Sequence, residues 1–418
     1  MPDPIDSAGP DHTRDPDEIE RPAVRPLEVQ RHDGPDGPGI VLVDRLGLRE
    51  PAFVPAALLP IVGRCDGTRT LAEIRSEAGA QLGEPLPDAF VRGVVRQLAA
   101  HGLLLGPTFA GELQAAAERF LAAPSRPPRH AGSAGSPRDP AALRRALGDL
   151  LGPQPTATTE PPLTGLVAPH IDLARGAAGY RAAYGRLAAT APADLYVVFG
   201  TGHAGPQAPV TGLALDWRTP LGIAPTARPF VAAVHAALGA PDPGDVLQHR
   251  DEHSLEFQVQ FLQFVHERRG LPPPRVAGFL CGALPSSDGD PLAEAWCQDL
   301  LAVFRRAAAG SGRVLWLAGA DLAHVGPRFG DEASVDAARL ARLAAADRGH
   351  LAALTAGVPG AFHRSVDGCG NVDRICSAPA MTLCAALAGG RGELLYYGQA
   401  RDDDGSQAVS FCAMAFTG

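Results

Sequence analysis

What is scarce in this chain narrows its class first. Aromatic residues make up only 6% of its 418 positions, so its cores must be filled mainly by Ala, Leu and Val. Basic blocks are missing. A formal net charge of -9 and a pI near 5.8 argue against nucleic acid as a partner, because phosphate binding needs a concentrated excess of cations. No stretch is apolar for long enough to span a bilayer, so no membrane partner is expected. The opening "MPDPIDSAGPDHTRDPDEIERP" has neither the basic start nor the apolar run of a secretory signal, and a cytoplasmic location is expected. Close-spaced cysteine pairs are missing too. Cys65, Cys281, Cys297, Cys369, Cys376, Cys384 and Cys412 are odd in number and scattered, which excludes a disulfide framework and leaves reduced thiols free to bind metal.

What is present is an ordinary globular balance, 45% hydrophobic and 20% charged, in a chain too long for one core. Residues 1–36, rich in Asp, Pro, Gly and Arg, read as a disordered leader. Residues 37–122 read as a small α+β module of winged-helix type. It holds a strand-like run from Ile40 to Val43, a turn at Asp66-Gly67, a helix capped by Thr70 with Leu71, Ile74 and Ala78 on one face, and another carrying Phe90, Val94, Leu98 and Leu103. "APSRPPRHAGSAGSPRDP" reads as a linker over 123–139, with Arg126, Arg129 and His130 as solvated spacer. From 140 to 418, strand-like runs alternate with helical ones, which predicts an α/β domain with a mixed or largely parallel central sheet flanked by helices.

In open α/β sheets, ligands gather beyond the carboxyl ends of the strands. Three runs deliver chemistry to that edge: "PLTGLVAP" leads into His170, "LYVVFGTG" into His203, and "RVLWLAGA" into Asp321, with His324 shortly after. Each stands beside Gly or Pro, which lets the backbone turn sharply into a crevice. A lone histidine after a strand is commonly a backbone-bonded loop residue, so the weight lies on three equivalent positions. "RDEHSLEFQVQFLQFVHE" predicts a helix with Glu252 and Glu256 on a polar face and Leu255, Val259 and Leu262 opposite. His253 falls in its first turn, where backbone amides favour a neutral imidazole. Histidines with a carboxylate or thiolate suit iron(II), copper or zinc, whereas magnesium and calcium prefer all-oxygen cages. Cys376, in "DRICSAPAM", precedes a small-residue run able to open a helix, and reads as either a buried hydrophobe or a ligand.

Six segments, "VAPHIDLARGAAGYRAAY", "VVFGTGHAG", "WRTPLG", "EHSLEFQVQFLQF", "GADLAHVGPRFGD" and "DRICSAPAM", resemble in this order the motifs of the Memo family, in the branch called AmmeMemoRadiSam system protein B, over roughly 160–418. The resemblance implies a fold like that of class III extradiol dioxygenases. It also implies a metal held by His170, His203 and Cys376, and a pocket lined by Asp321, His324, Glu252 and His253, with His324 as acid or base. Iron(II) or copper is the expected ion, with zinc as a further option. The implied activity is that of an oxidoreductase acting on a peptide or small molecule; a metal- or phosphopeptide-binding scaffold and a metallohydrolase are the competing readings. Where the family has Cys-Gly, this chain has Cys376-Ser377, and Cys369 in "GCGN" lies upstream as a rival thiolate. The family name further implies a radical-SAM partner protein. "CDGTRTLAEI" with "VRQLAAHGLLL" resembles PqqD-like winged-helix peptide-recognition domains, which hold a peptide as an added strand. Arg69, Arg75, Arg92 and Arg96 are countered by Glu73, Glu77, Glu84 and Asp88, so a peptide or protein suits this module better than DNA.

Overall fold

The computed structural model describes residues 19–35, 37–155 and 160–417. Its contacts divide the chain into Met1–Arg119 and Phe120–Gly418. In the first unit, β1 (Glu28–Gly34), β2 (Gly37–Val43) and β3 (Ala52–Pro55) form an antiparallel sheet in that order, followed by α1 (Leu59–Val62), α2 (Leu71–Leu82), α3 (Asp88–Ala100) and α4 (Pro107–Leu121), whose end crosses the division. α2 starts where Thr70 predicts it: the Thr70 hydroxyl accepts the Glu73 amide, and Glu73 returns the bond to the Thr70 amide. Its inner face is Leu71, Ile74 and Ala78, as the spacing requires. α3 turns Val91, Val94, Val95 and Leu98 inward and leaves Phe90 exposed, a shift of one position from the expected face.

The expected leader is corrected. Residues 28–34 pair in register with 37–43, and Arg25 is buried against Asp44, whose carboxylate also accepts the amides of Leu46, Leu48 and Arg49. Strand pairing uses backbone groups alone, so a polar composition did not preclude it. The part of the leader before residue 19 lies outside the described residues.

The second unit runs through β4 (Ser125–Arg126), α5 (Pro140–Leu151), β5 (Gly165–Ala168), α6 (Ala177–Ala188), β6 (Leu195–Thr201), β7 (Val210–Gly212), β8 (Asp216–Thr219), β9 (Gly222–Ala224), α7 (Arg228–Leu238), α8 (Pro243–Asp251) and α9 (His253–Arg268). It continues through β10 (Val276–Cys281), α10 (Ala295–Ala308), β11 (Val314–Gly319), β12 (Asp321–Val325), α11 (Ala337–Thr355), α12 (Pro359–Asp367), α13 (Ala378–Ala388), β13 (Gly392–Arg401) and β14 (Ala408–Phe416). The main sheet is mixed and flanked by helices. β5, β11, β6 and β10 lie side by side and parallel, while β14, β12, β13 and β7 pair antiparallel around them.

Alternation along the central strands sorts their side chains. Val197, Phe199, Phe279 and Trp316 join Phe230 and Phe304 in the main core on one face. On the other, Tyr180 and Tyr184 of α6 stack on Phe261 of α9. The expected linker is corrected as well: β4 pairs in parallel with β8, and Arg126 and Ser136 are fully buried. Among the described residues, no helix is long and apolar enough to cross a membrane.

Candidate metal centre

Because β5, β11 and β6 are parallel neighbours, their carboxyl ends open on one edge of the sheet. His170 lies just past β5, His203 just past β6, and Asp321 opens β12 directly after β11. The start of α9 comes down on this edge because Gly200 and Gly319 carry no side chain; a Cβ at either would collide with Ser254. That approach delivers Glu252 and His253. Cys376 arrives on the loop before α13, the helix expected after it. In that loop Asn371 and Arg374 adopt left-handed backbone, with φ of 45° and 55°. The Asn371 side chain exchanges two hydrogen bonds with the Ile375 backbone, and the Arg374 guanidinium binds the His324 carbonyl and Asp331. These bonds offset the strain that left-handed backbone imposes on residues with a Cβ.

Hydrogen bonds set the ring tautomers. His170 is buried, and its Nδ1 lies 2.9 Å from the Gly319 carbonyl, so Nδ1 carries the proton and Nε2 the lone pair. Nδ1 of His203 lies 3.0 Å from both Glu252 oxygens, and Nδ1 of His253 lies 3.1 Å from one of them. One carboxylate thereby fixes two imidazoles in the same tautomer. Glu252 also caps α9, accepting the amides of His253 and Ser254 at 2.9 Å. Burial alone would push its pKa up, but His203 and His253 outweigh this and hold the carboxyl well below its usual range. Burial opposes protonation of His203, yet Glu252 and the Cys376 sulfur outweigh it and raise the ring well above an ordinary histidine. A pocket that favours an imidazolium favours cations in general. His170, by contrast, is driven well down by burial and by the neighbouring His203 and His253 rings.

These side chains fit a metal ion. Ligand atoms of His170, His203 and Cys376 lie within 4.8 Å of one another. Ordinary metal–nitrogen and metal–sulfur lengths put neighbouring ligands of a four-coordinate ion about 3.5 Å apart. His170 Nε2 and Cys376 Sγ are 3.5 Å apart. His203, Glu252 and His253 form a second group of the same tightness, but there Glu252 is engaged in orienting both rings. Cys369, the rival thiolate, is exposed, bonds the Val366 carbonyl and belongs to neither group. Ser377 does more than replace a glycine: its hydroxyl accepts the Asp321 amide at 3.1 Å and lies 2.9 Å from the Thr201 hydroxyl and 3.2 Å from the Cys376 sulfur.

Asp321 and His324 flank the cluster. One Asp321 oxygen accepts the His170 amide at 2.9 Å, the other lies 3.6 Å from His170 Nε2, and burial pushes the carboxyl up to about 6. The His324 Nδ1 lies 3.1 Å and 3.2 Å from the Leu322 and Arg374 carbonyls. Burial pushes this ring down to about 4, and His203 and His253 are near enough to push it further. It is therefore a neutral imidazole that offers Nε2 as an acceptor.

Three residues of the surroundings escaped the sequence reading. Glu256, expected on a polar face, is fully buried in an ion pair with Arg126, which was expected to be spacer. His130, also assigned to spacer, has its ring 5.3 Å from that of His253 and 6.0 Å from Phe257, with Nε2 2.7 Å from the Asp251 carbonyl. The one sequence signal for them was an arginine and a histidine inside a Pro-, Ser- and Gly-rich stretch, and composition outweighed it.

A family model described as Memo-like protein matches residues 126–415, so the match begins at Arg126. A MEMO1 family protein of Aquifex aeolicus is 27% identical over 316 residues, 76% of this chain and 79% of its own length. One of Thermus thermophilus is 28% identical over 263 residues, 63% of this chain and 74% of its own. A third, of Archaeoglobus fulgidus, is 40% identical over 81 residues, 19% of this chain and 30% of its own.

Proposed function

The chain belongs to the Memo-like family, and from that premise we propose that its second unit is a metal-dependent oxidoreductase using non-haem iron(II) or copper held by His170, His203 and Cys376. The observation that carries this reading is the convergence of two tautomer-fixed imidazoles and a thiol on one point, with a buried carboxylate behind one ring. An ion bound there would supply Lewis acidity toward a substrate oxygen and a redox couple.

The chain's own groups do the rest. Glu252 holds the His203 and His253 rings in place, and the Ser377 hydroxyl, by donating to the Cys376 sulfur, would soften its electron donation. His324 Nε2 is placed to take a proton from a bound substrate, and Asp321 to hold one beside His170. The first unit we assign to recruitment of a peptide or protein. Among the described residues β3 pairs with β2 alone, which leaves its other edge to accept an added strand. A radical-SAM protein is a candidate for that partner, and the free thiols agree with residence in the cytoplasm.

Elemental analysis of protein purified without oxygen tests the metal. About one iron or copper per chain is expected, lost in His170→Ala, His203→Ala and Cys376→Ser. Full occupancy in Cys376→Ser would sink the thiolate assignment, and a flat oxygen trace with added iron(II) and candidate peptides would sink the oxidoreductase reading.

A further inference from the structure

From Asp245 to Arg268 the chain contains neither Gly nor Pro, yet it does not form one helix: α8 ends at Asp251 and α9 begins at His253. In an uninterrupted helix the His253 amide would donate to the His249 carbonyl. Here it donates to the Glu252 carboxylate instead, and Glu252 sits in extended backbone, φ -77° and ψ 132°. The displaced carbonyl has a new partner. Arg126 Nε donates to the His249 carbonyl at 3.0 Å, a second guanidinium nitrogen donates to the Glu252 carbonyl at 2.7 Å, and the third pairs with Glu256 in the first turn of α9. Glu256 in turn accepts the amides of Arg129 and His130, each at 3.0 Å. The Trp217 ring lies 5.3 Å from the guanidinium carbon.

We propose that Arg126 is a positioning residue of the candidate metal centre: it holds open the break between α8 and α9 from which Glu252 orients His203 and His253. The inference rests on the metal reading for its purpose but not for its geometry. Buried ion pairs contribute little net stability compared with apolar packing. The value of this one lies in its fork, which reaches two backbone carbonyls and a carboxylate at once. A lysine cannot do this, because its ammonium is a single point of charge.

Arg126→Met leaves Glu256 charged and unpaired in the interior and can abolish folding by itself, so two other variants decide. Arg126→Lys keeps the charge balance but loses the fork. Arg126→Met with Glu256→Gln removes both charges, and its single amide oxygen keeps one of the two bonds that separate Glu256 oxygens accept from the Arg129 and His130 amides. The first readout is histidine-labelled nitrogen NMR of the metal-free protein. The parent should show slowly exchanging Nδ1 protons for His170, His203 and His253. Both variants should lose those of His203 and His253 and keep that of His170, whose acceptor is the Gly319 carbonyl. The second readout is cobalt(II) titration, in which the variants' Kd should rise about 10- to 100-fold, the usual cost of losing an orienting partner. Retention of both Glu252-bound ring protons in either folded variant overturns the proposal whatever cobalt does. Loss of those protons in the variants alone, with parent and variants all ignoring cobalt, would leave the positioning role standing and remove the metal.

Discussion

His324 illustrates how burial selects the form of a side chain. Its folded pKa is about 4, against about 6.5 for a free histidine. As pH falls through that window the unfolded chain takes up a proton and the folded one does not, so this ring's contribution, fully present above about 6.5, is lost progressively toward about 4. Asp321 has the opposite sign: raised to about 6 from about 3.9, it favours the folded state increasingly as pH falls between those values. His324→Gln should therefore lose less stability than the parent between pH 7.5 and 4.5, as read by urea midpoints at the two pH values. An unchanged difference would mean that the ring titrates freely in the folded protein. At this scale the sequence was most readable where position carried meaning. His170, His203 and Asp321 follow three strands that prove to be adjacent and parallel. Arg126 and Glu256 are 130 residues apart, and nothing local links them.

Helices and strands were legible in proportion to how one-sided they are. α2 buries one face and was readable down to its cap. α9 is buried from Ser254 through His266, so Glu256 and the glutamines lie in the interior and a polar face was inferred where none exists over that span. β1, "EVQRHDG", is mostly polar and partly exposed, and only its backbone ladder makes it a strand. The contact between α9 and the strand ends carries its own prediction. Gly319→Ala places a methyl against Ser254 and the Gln258 side chain, a backbone-limited overpacking that should cost about 1–3 kcal/mol in urea unfolding. It should also weaken metal binding, since the same approach delivers Glu252. A fully stable Gly319→Ala protein with parental metal affinity would show that the helix start is free to shift.

For the molecule as a whole, the boundary matters. A fragment beginning at Phe120 retains Arg126 and should unfold cooperatively. One beginning at Pro140, where composition placed the domain, leaves Glu256 without its cation, a loss of about 3–5 kcal/mol for a buried pair. Urea curves of the two fragments compare them directly, and coincident midpoints would mean that the buried pair contributes nothing to stability.

His170 and Cys376 are separated by 206 residues of chain yet meet at 3.5 Å. An ion shared between them would close most of the second unit into a ring, restricting the unfolded chain much as a disulfide does, but reversibly. Its contribution grows with the free ion's concentration relative to its dissociation constant. Metal supply would then govern more than turnover: a starved cell would hold fewer folded copies, its proteases would clear the remainder, and the protein's abundance would itself report the ion.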